Sequence, residues 1–423
     1  MIILSHAGKQ HSYQTAKALN NLGLLDTFYT SSYLTNERFQ DYFKKNGNTY
    51  WVRRFIDGLP GDKVNANWRF EVKEMLLRKL QGKSPAAQKA VYARDVNFDE
   101  YVGRELRAKS EKWKRETGAE KSNSAKRTLP TAFWGFQGSS YASLQAANEI
   151  GLTSICELAT AHVVAAKRIL GEEAALHPEW SDSIDNLVFP ADYEKRLVEE
   201  PQIAQKVVAA SSFTKSTLLE VDIPENNIIY LPLGCDIKHV PYQERKEDNI
   251  EDRPLKLLYA GTVTQRKGIK YLLESLKSLQ SLNIELHIIG GIQGSGQALK
   301  EYAHLIHYHA PVSQQEMFEA YADYDALVLP TIFEGFGLVI VEAMAAGLPV
   351  ITTPHSIGPE LIKEDQNGYV IPIRDVDAIS SAIEKLRNKS SEQYLQMRKK
   401  AREAALEYSW KAFERRLNEV IIL

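Results

Sequence analysis

The sequence predicts an α/β protein built from two Rossmann-like, doubly wound domains, with a helical insert in the first. Three observations carry this expectation. A chain of 423 residues is long enough for two domains of ordinary size. Ile2 to Thr30 reads as strand, glycine loop, helix, strand, which is how a doubly wound sheet begins. From Leu255 onward the same alternation returns, clearest in Asp325 to Thr353.

In chain order, Ile2–Ser5 is a strand, H-A-G-K-Q-H-S a loop, Tyr13–Leu22 an amphipathic helix stopped by Gly23, and Leu25–Thr30 a second strand. Residues 32–129 form the insert. Its texture is helical, clearest over Glu71–Leu80 and broken at Leu59-Pro60-Gly61, with a disordered stretch expected over Glu111–Arg127. Alternation resumes with a strand at Ala132–Phe136, a helix at Ser139–Ile150 and strands at Ser154–Leu158, Val207–Ala210 and Ile228–Leu231. The composition shifts at P-L-G-C-D, Pro232–Asp236, and at the charged linker Gln243–Pro254, so the domains are set at 1–238 and 239–408.

The second domain reads as strands Leu255–Ala260, Ile284–Ile289, Ile306–His309, Ala326–Leu329, Val350–Thr353 and Tyr369–Pro372. Ser313 with Glu316 forms a capping box, and Asp375 caps a later helix. A last helix opens at Trp410, so 409–423 is treated separately.

Composition excludes several classes. A net charge of −2 offers no electrostatic footprint for nucleic acid. No apolar run is long enough to span a bilayer. The two cysteines, Cys156 and Cys235, lie in or after apolar runs and read as buried thiols of a cytoplasmic protein. The insert has an excess of Lys and Arg over acids, interleaved with Tyr42, Trp51, Phe55, Trp68 and Trp113. That mixture makes it a candidate for contact with an anionic membrane face or acceptor, against the plainer reading of a solvated helical surface.

The chemistry concentrates in P-T-I-F-E-G-F-G-L-V-I-V-E, Pro330–Glu342. Glu334 precedes a helix and Glu342 lies inside it. Between them fall the amides of Phe336, Gly337 and Leu338, and a helix N-terminus is a ready anion site. The order is hydroxyl acceptor, anion cradle, hydroxyl acceptor, which matches sugar, diphosphate and ribose. In the loop after Leu255–Ala260, Arg266 and Lys267 suit a diphosphate leaving group whose charge grows as its bond breaks.

This stretch resembles the E-x7-E signature of retaining glycosyltransferases of the large family 4 type, which have the GT-B fold, two such domains facing a cleft. The loop Arg266-Lys267-Gly268 resembles that family's R-K-G motif, although Thr262 stands where many relatives carry an arginine. The resemblance implies transfer of a sugar from a nucleotide-diphosphate sugar to a glycan, lipid-linked or small-molecule acceptor, with retained configuration and no cofactor or metal. It implies Glu334, Lys267, Arg266 and His162 as the catalytic group. Phe336, Gly337, Leu338, Glu342, Gly261, Gly290 and Val312 would bind donor, and Gly8 with Lys9 would face acceptor or phosphate. It also implies that the last helix crosses back to the first domain. Other readings are a nucleotide-sugar epimerase or hydrolase on the same fold and a non-catalytic nucleotide-binding protein. Two decoys are set aside: G-I-Q-G-S-G, Gly291–Gly296, as a glycine loop of the nucleotide pocket, and D-Y-D, Asp323–Asp325, because it leads directly into a buried strand.

Overall fold

The computed structural model describes residues 1–8, 11–47, 49–81, 85–119, 129–184, 187–244 and 250–421. The first half forms a sheet of β1 (Ile2–His6), β2 (Leu25–Thr30), β3 (Val64–Ala66), β4 (Ala132–Phe136), β5 (Thr153–Leu158), β6 (Lys206–Ala209) and β7 (Ile228–Tyr230), in the order β3-β2-β1-β4-β5-β6-β7. The second half forms β8 (Leu255–Ala260), β9 (Ile284–Ile289), β10 (Ile306–His309), β11 (Ala326–Leu329), β12 (Val350–Thr352) and β13 (Gly368–Val370), in the order β10-β9-β8-β11-β12-β13. Every pairing is parallel. Parallel strands are covered by crossover helices on both faces, so the strands are nearly continuous apolar runs. β1 and β11 are buried at every position.

Each sheet has one point where strand order reverses, between β1 and β4 and between β8 and β11. In open α/β sheets the crevice outside the carboxyl ends at that point is where ligands bind. The loops after β8 and β11 carry Lys267 and Glu334 into that crevice.

The segment 32–129 is largely helical, yet it is not an appendage. Val64–Ala66 adds to the sheet beside β2, with Phe28 paired to Val64 and Thr30 to Ala66. One helix then runs from Pro85 to Ala119, so the stretch expected to be disordered from Glu111 is helical as far as Ala119, and 120–128 lie outside the described residues. Phe98, Val102 and Leu106 of that helix are buried with Ile3, Tyr29 and Phe133. The insert is thus mostly the third strand of the sheet and its crossover. A three-residue strand reading V-N-A is too short for its periodicity to show.

Each half also lends an element to the other. The helix Val163–Leu176 and the 3-10 turn Pro178–Ser183 belong to the first half by sequence. Their Ala165, Ile169, Leu170 and Trp180 nevertheless join the core of Leu257, Leu258 and Leu327. In return, Phe413 and Leu417 of the final helix, Trp410–Val420, pack with Ile2, Leu4, Tyr13 and Leu25. The two passages between domains are tied together: the Cys235 amide donates to the Tyr408 carbonyl at 2.7 Å. Both cysteines are free and buried.

Candidate active site

Two loops are stitched into one platform. After β8, Thr264 caps the turn Gln265–Lys267 and Gly268 closes it with φ +70°. A Cβ at Gly268 would lie 1.9 Å from the Pro330 carbonyl oxygen, so only glycine lets this loop rest on the end of β11. The Arg266 carbonyl accepts the amides of Ile332 (2.9 Å) and Phe333 (3.2 Å). Its guanidinium donates to the Phe333 carbonyl at 2.9 Å and to Glu334 at 3.3 Å. Arg266 therefore braces the loop that carries Glu334.

Lys267 is placed differently. Its ammonium lies over Gly261, where a Cβ would come within 2.6 Å of Nζ. Burial pulls its pKa down, the charges of Glu334 and Glu342 push it up, and Arg266 pulls it down. Among the described residues Nζ has no hydrogen-bond or ion-pair partner. Lys267 is thus a desolvated cation near Glu334 and Glu342, hydrogen-bonded to neither among the described residues.

Glu342 lies on the helix Leu338–Ala345 and accepts from the Tyr321 hydroxyl at 3.2 Å. Burial raises its pKa, while Tyr321, Gln314 and Lys267 lower it. The amides of Phe336, Gly337 and Leu338 have no acceptor among the described residues. Gly337 is left-handed at φ +88° and Leu338 is exposed, whereas the Phe336 side chain is core. Gly290 packs backbone to backbone on Gly261, and exposed Val312 lies two residues from Gln314. Glu334, Lys267, Glu342, Gly261 and Gly290 thus share one crevice.

Two expected members belong to the first domain. His162 is fully buried and caps the helix Val163–Leu176, its Nδ1 accepting the Val164 amide at 3.3 Å. Its backbone amide donates to Thr217, and burial lowers its pKa. Its Nε2 is buried without a hydrogen-bond partner among the described residues, and Thr160, two residues earlier, lies against Gly335 beside Glu334. Gly8 lies at the end of β1 against the Arg94 guanidinium, and its amide donates to His6 Nδ1 at 2.9 Å. Lys9 lies outside the described residues.

Residues that sequence reasoning passed over fill the other wall. A cavity of about 350 Å³ is lined by Arg266 and Phe333 on one side and Phe136, Glu157, Tyr92 and Tyr193 on the other. Glu157 is 2% exposed, accepts from Trp134 Nε1 at 2.9 Å and pairs with His11 Nε2. An acid inside the apolar strand T-S-I-C-E-L was the available signal, since a buried carboxylate needs partners.

The Glu334 loop is held from the first domain as well. Ser211 Oγ and Thr214 Oγ1 donate to the Gly335 carbonyl at 2.6 and 3.2 Å. A Cβ at Gly335 would lie 2.4 Å from Thr160 Cα. Glu360, in the turn Gly358–Leu361, accepts the Ser212 amide and the Tyr230 hydroxyl. Deeper in, buried Glu173 accepts from Gln265 (2.7 Å), Tyr271 (2.8 Å) and Arg374 (2.7 Å). The decoys resolve in the same way. Asp325 is bonded bidentately by Arg253 at 2.6 and 2.7 Å. The tip of the glycine loop, which follows directly on Gly290, packs on the segment Pro178–Ser183, where the Ser295 amide donates to Asp182 at 2.7 Å.

With this geometry in place, known proteins give the platform a family likeness. Residues 242–404 match the model of the family "Glycosyl transferases group 1". That span holds Arg266, Lys267, Glu334 and Glu342. Over 207 residues the chain is 30% identical to the capsular polysaccharide biosynthesis glycosyltransferase CapM of Staphylococcus aureus, covering 44% of this chain and 53% of CapM. It is 25% identical to an MMP α-(1→4)-mannosyltransferase of Mycolicibacterium hassiacum, covering 46% of this chain and 47% of that one. The chain spans about half the length of the curated relatives it matches.

Among solved structures, sucrose-phosphate synthase of Thermosynechococcus elongatus superposes with a TM-score of 0.61 at 17% identity, covering 99% of this chain and 97% of that one. Anabaena HepE in complex with UDP and glucose gives 0.58 at 13%, covering 99% and 98%. At such identities the likeness concerns the fold, and the fold is GT-B: two Rossmann-like domains across a cleft. Among the described residues no helix is long and apolar enough to cross a membrane.

Proposed function

We propose that the protein transfers a sugar from a nucleotide-diphosphate donor to an acceptor, with retention of anomeric configuration. The observation that carries this reading is Lys267, a desolvated ammonium with no anion bonded to it among the described residues, flanked by Glu334 and Glu342. The diphosphate would lie against Lys267 and the amides of Phe336 to Leu338, the ribose at Glu342 and the sugar at Glu334. Charge develops on the diphosphate as the glycosidic bond lengthens, and Lys267 is fixed in advance to meet it. Arg266 acts indirectly, by holding Glu334 and forming part of the cavity wall. The acceptor would enter through that cavity, between Arg266 and Glu157. A glycan, lipid-linked or small-molecule acceptor fits this reading. Retention rests on the resemblance in the motif.

The transfer needs no metal, because lysine and helix amides already face the leaving group. We also propose peripheral contact with the inner, anionic membrane face. Val72, Leu76 and Leu80 form an exposed stripe on the helix Val72–Gln81, beside Lys73 and Lys79.

The test is a melting screen against uridine, guanosine and adenosine diphosphates and their sugars, followed by NMR of the product. A donor at about 100 times its Kd adds roughly 2.7 kcal/mol. A product with the donor's anomeric configuration supports the reading. An inverted product overturns retention, and an epimerised or hydrolysed sugar formed equally with and without acceptors overturns transfer.

A further inference from the structure

The edge of the second sheet carries an imidazole cluster that the donor cleft does not use. Glu285 and His287 lie two residues apart on β9, and His307 and His309 two apart on β10, so each pair points to one face. His287 is the register partner of His307, which puts all four side chains on the same face. The rings of His287 and His307 stack at 4.6 Å with 22° between planes, and those of His287 and His309 at 5.4 Å with 6°. One ligating atom each from Glu285, His287 and His307 lies within 4.8 Å of the others.

The hydrogen bonds give the cluster an order. His287 Nδ1 meets His309 Nε2 at 3.1 Å, and His287 Nε2 faces Glu285 Oε2 at 3.4 Å. When His287 donates its Nδ1 proton to His309, the lone pair on Nε2 points toward a carboxylate. That arrangement is repulsive until a cation stands between them. Ligating histidines commonly donate the other ring nitrogen's proton to a neighbour in this way, which fixes tautomer and ring orientation.

We propose that Glu285, His287 and His307 bind one divalent transition-metal ion, with zinc the best match, and that His309 is the positioning residue behind His287. Two imidazoles and one carboxylate are a borderline-soft set suited to zinc, and three protein ligands leave a fourth tetrahedral position for water. Ligand atoms on one zinc lie about 3.3 Å apart at bond lengths near 2 Å. The cluster must therefore contract slightly, which exposed His307 and half-buried Glu285 and His287 can do by side-chain rotation. The ion would clip β10 to β9. β10 also fixes the site-lining Gly290, whose amide donates to the His309 carbonyl at 3.2 Å and whose carbonyl accepts from Tyr308 at 2.9 Å.

The experiment strips the full-length protein of metal and titrates it with zinc chloride by calorimetry, with melting followed in parallel. One equivalent of zinc should bind and raise the melting temperature. His307→Ala removes an exposed side chain, so the fold survives, and it should abolish that equivalent. His309→Ala touches no ligand position and should weaken binding about 10- to 100-fold. The proposal is overturned if the wild type takes up no stoichiometric zinc, or if His307→Ala takes up the same equivalent. Binding unchanged in His309→Ala would overturn the positioning role.

Discussion

The two walls of the cleft are built by different means. The second-domain wall is a backbone construction: Gly268 under Pro330, Gly261 under Lys267, and Gly290 against Gly261. The first-domain wall is made of side chains brought from far apart: Glu157 with His11 and Trp134, and Tyr193 with Asp95. A backbone platform is stiff and leaves glycines at fixed offsets. A side-chain wall can be remade by substitution while the sheet behind it stays the same. On the proposed reading, the platform would hold the diphosphate and the wall the acceptor.

The largest effect should come from the joint between the walls. Glu173→Ala leaves Arg374, Gln265 and Tyr271 without their shared acceptor. Breaking a buried charge cluster costs about 3–5 kcal/mol, to be read by chemical denaturation. A change under about 1 kcal/mol would mean that the two halves are not coupled there.

Lys267→Ala sharpens the contrast on the platform itself. It should lower kcat by about a hundredfold or more, the scale of losing a donor to developing charge. Folding stability should hold or rise, since a desolvated ammonium with no bonded partner among the described residues is removed. A variant that loses stability as well as rate would make Lys267 a structural residue.

Glu342→Ala should act on binding alone. Ribose hydroxyls do not change during the reaction, so donor KM should rise about 10- to 100-fold with kcat nearly kept. If kcat falls as deeply as in Lys267→Ala while KM holds, ribose is not at Glu342.

A pH effect belongs to the first domain. Buried Glu200 accepts the amides of Gly138 and Ser140, and burial with the nearby charge of Asp99 pushes its carboxyl up to about 8. A carboxyl raised on folding holds more protons in the folded state. Its stabilising share is therefore full below the unfolded value, near 4.3, and is lost as pH rises toward 8. The melting temperature should fall between about pH 5 and 8, and Glu200→Gln should flatten that slope. An equally steep slope in the variant would assign the effect elsewhere.

The same difference between walls decided what could be read from the sequence. In the second domain β8, β9, β10 and β11 fall at their expected residues, and Ser313 and Asp375 cap as expected. Each is a local signal, written in apolar runs and cap residues. The first 130 residues were harder because β3 has three residues and gains its identity only from pairing with β2. The helix Pro85–Ala119 is polar along most of its length, and its buried Phe98, Val102 and Leu106 are visible as core only against β1 and β4. His162 stood out because it follows a strand, yet that place also makes it a helix cap. His11 and Glu157 become a pair only once β5 and the first loop are folded side by side.

The exchange of elements between halves bears on how the chain is made. A ribosome releases residues 1–230, all seven strands of the first sheet, long before Phe413 and Leu417. At roughly 5–20 residues per second, that gap lasts about ten to forty seconds. During it the face formed by Ile2, Leu4, Tyr13 and Leu25 lacks its final cover, and Ala165, Ile169 and Trp180 await a core not yet synthesised. The first half cannot complete its packing until Phe413 and Leu417 have been made. Chimaeras that swap whole halves with a relative must therefore match both borrowed elements as well as the cleft.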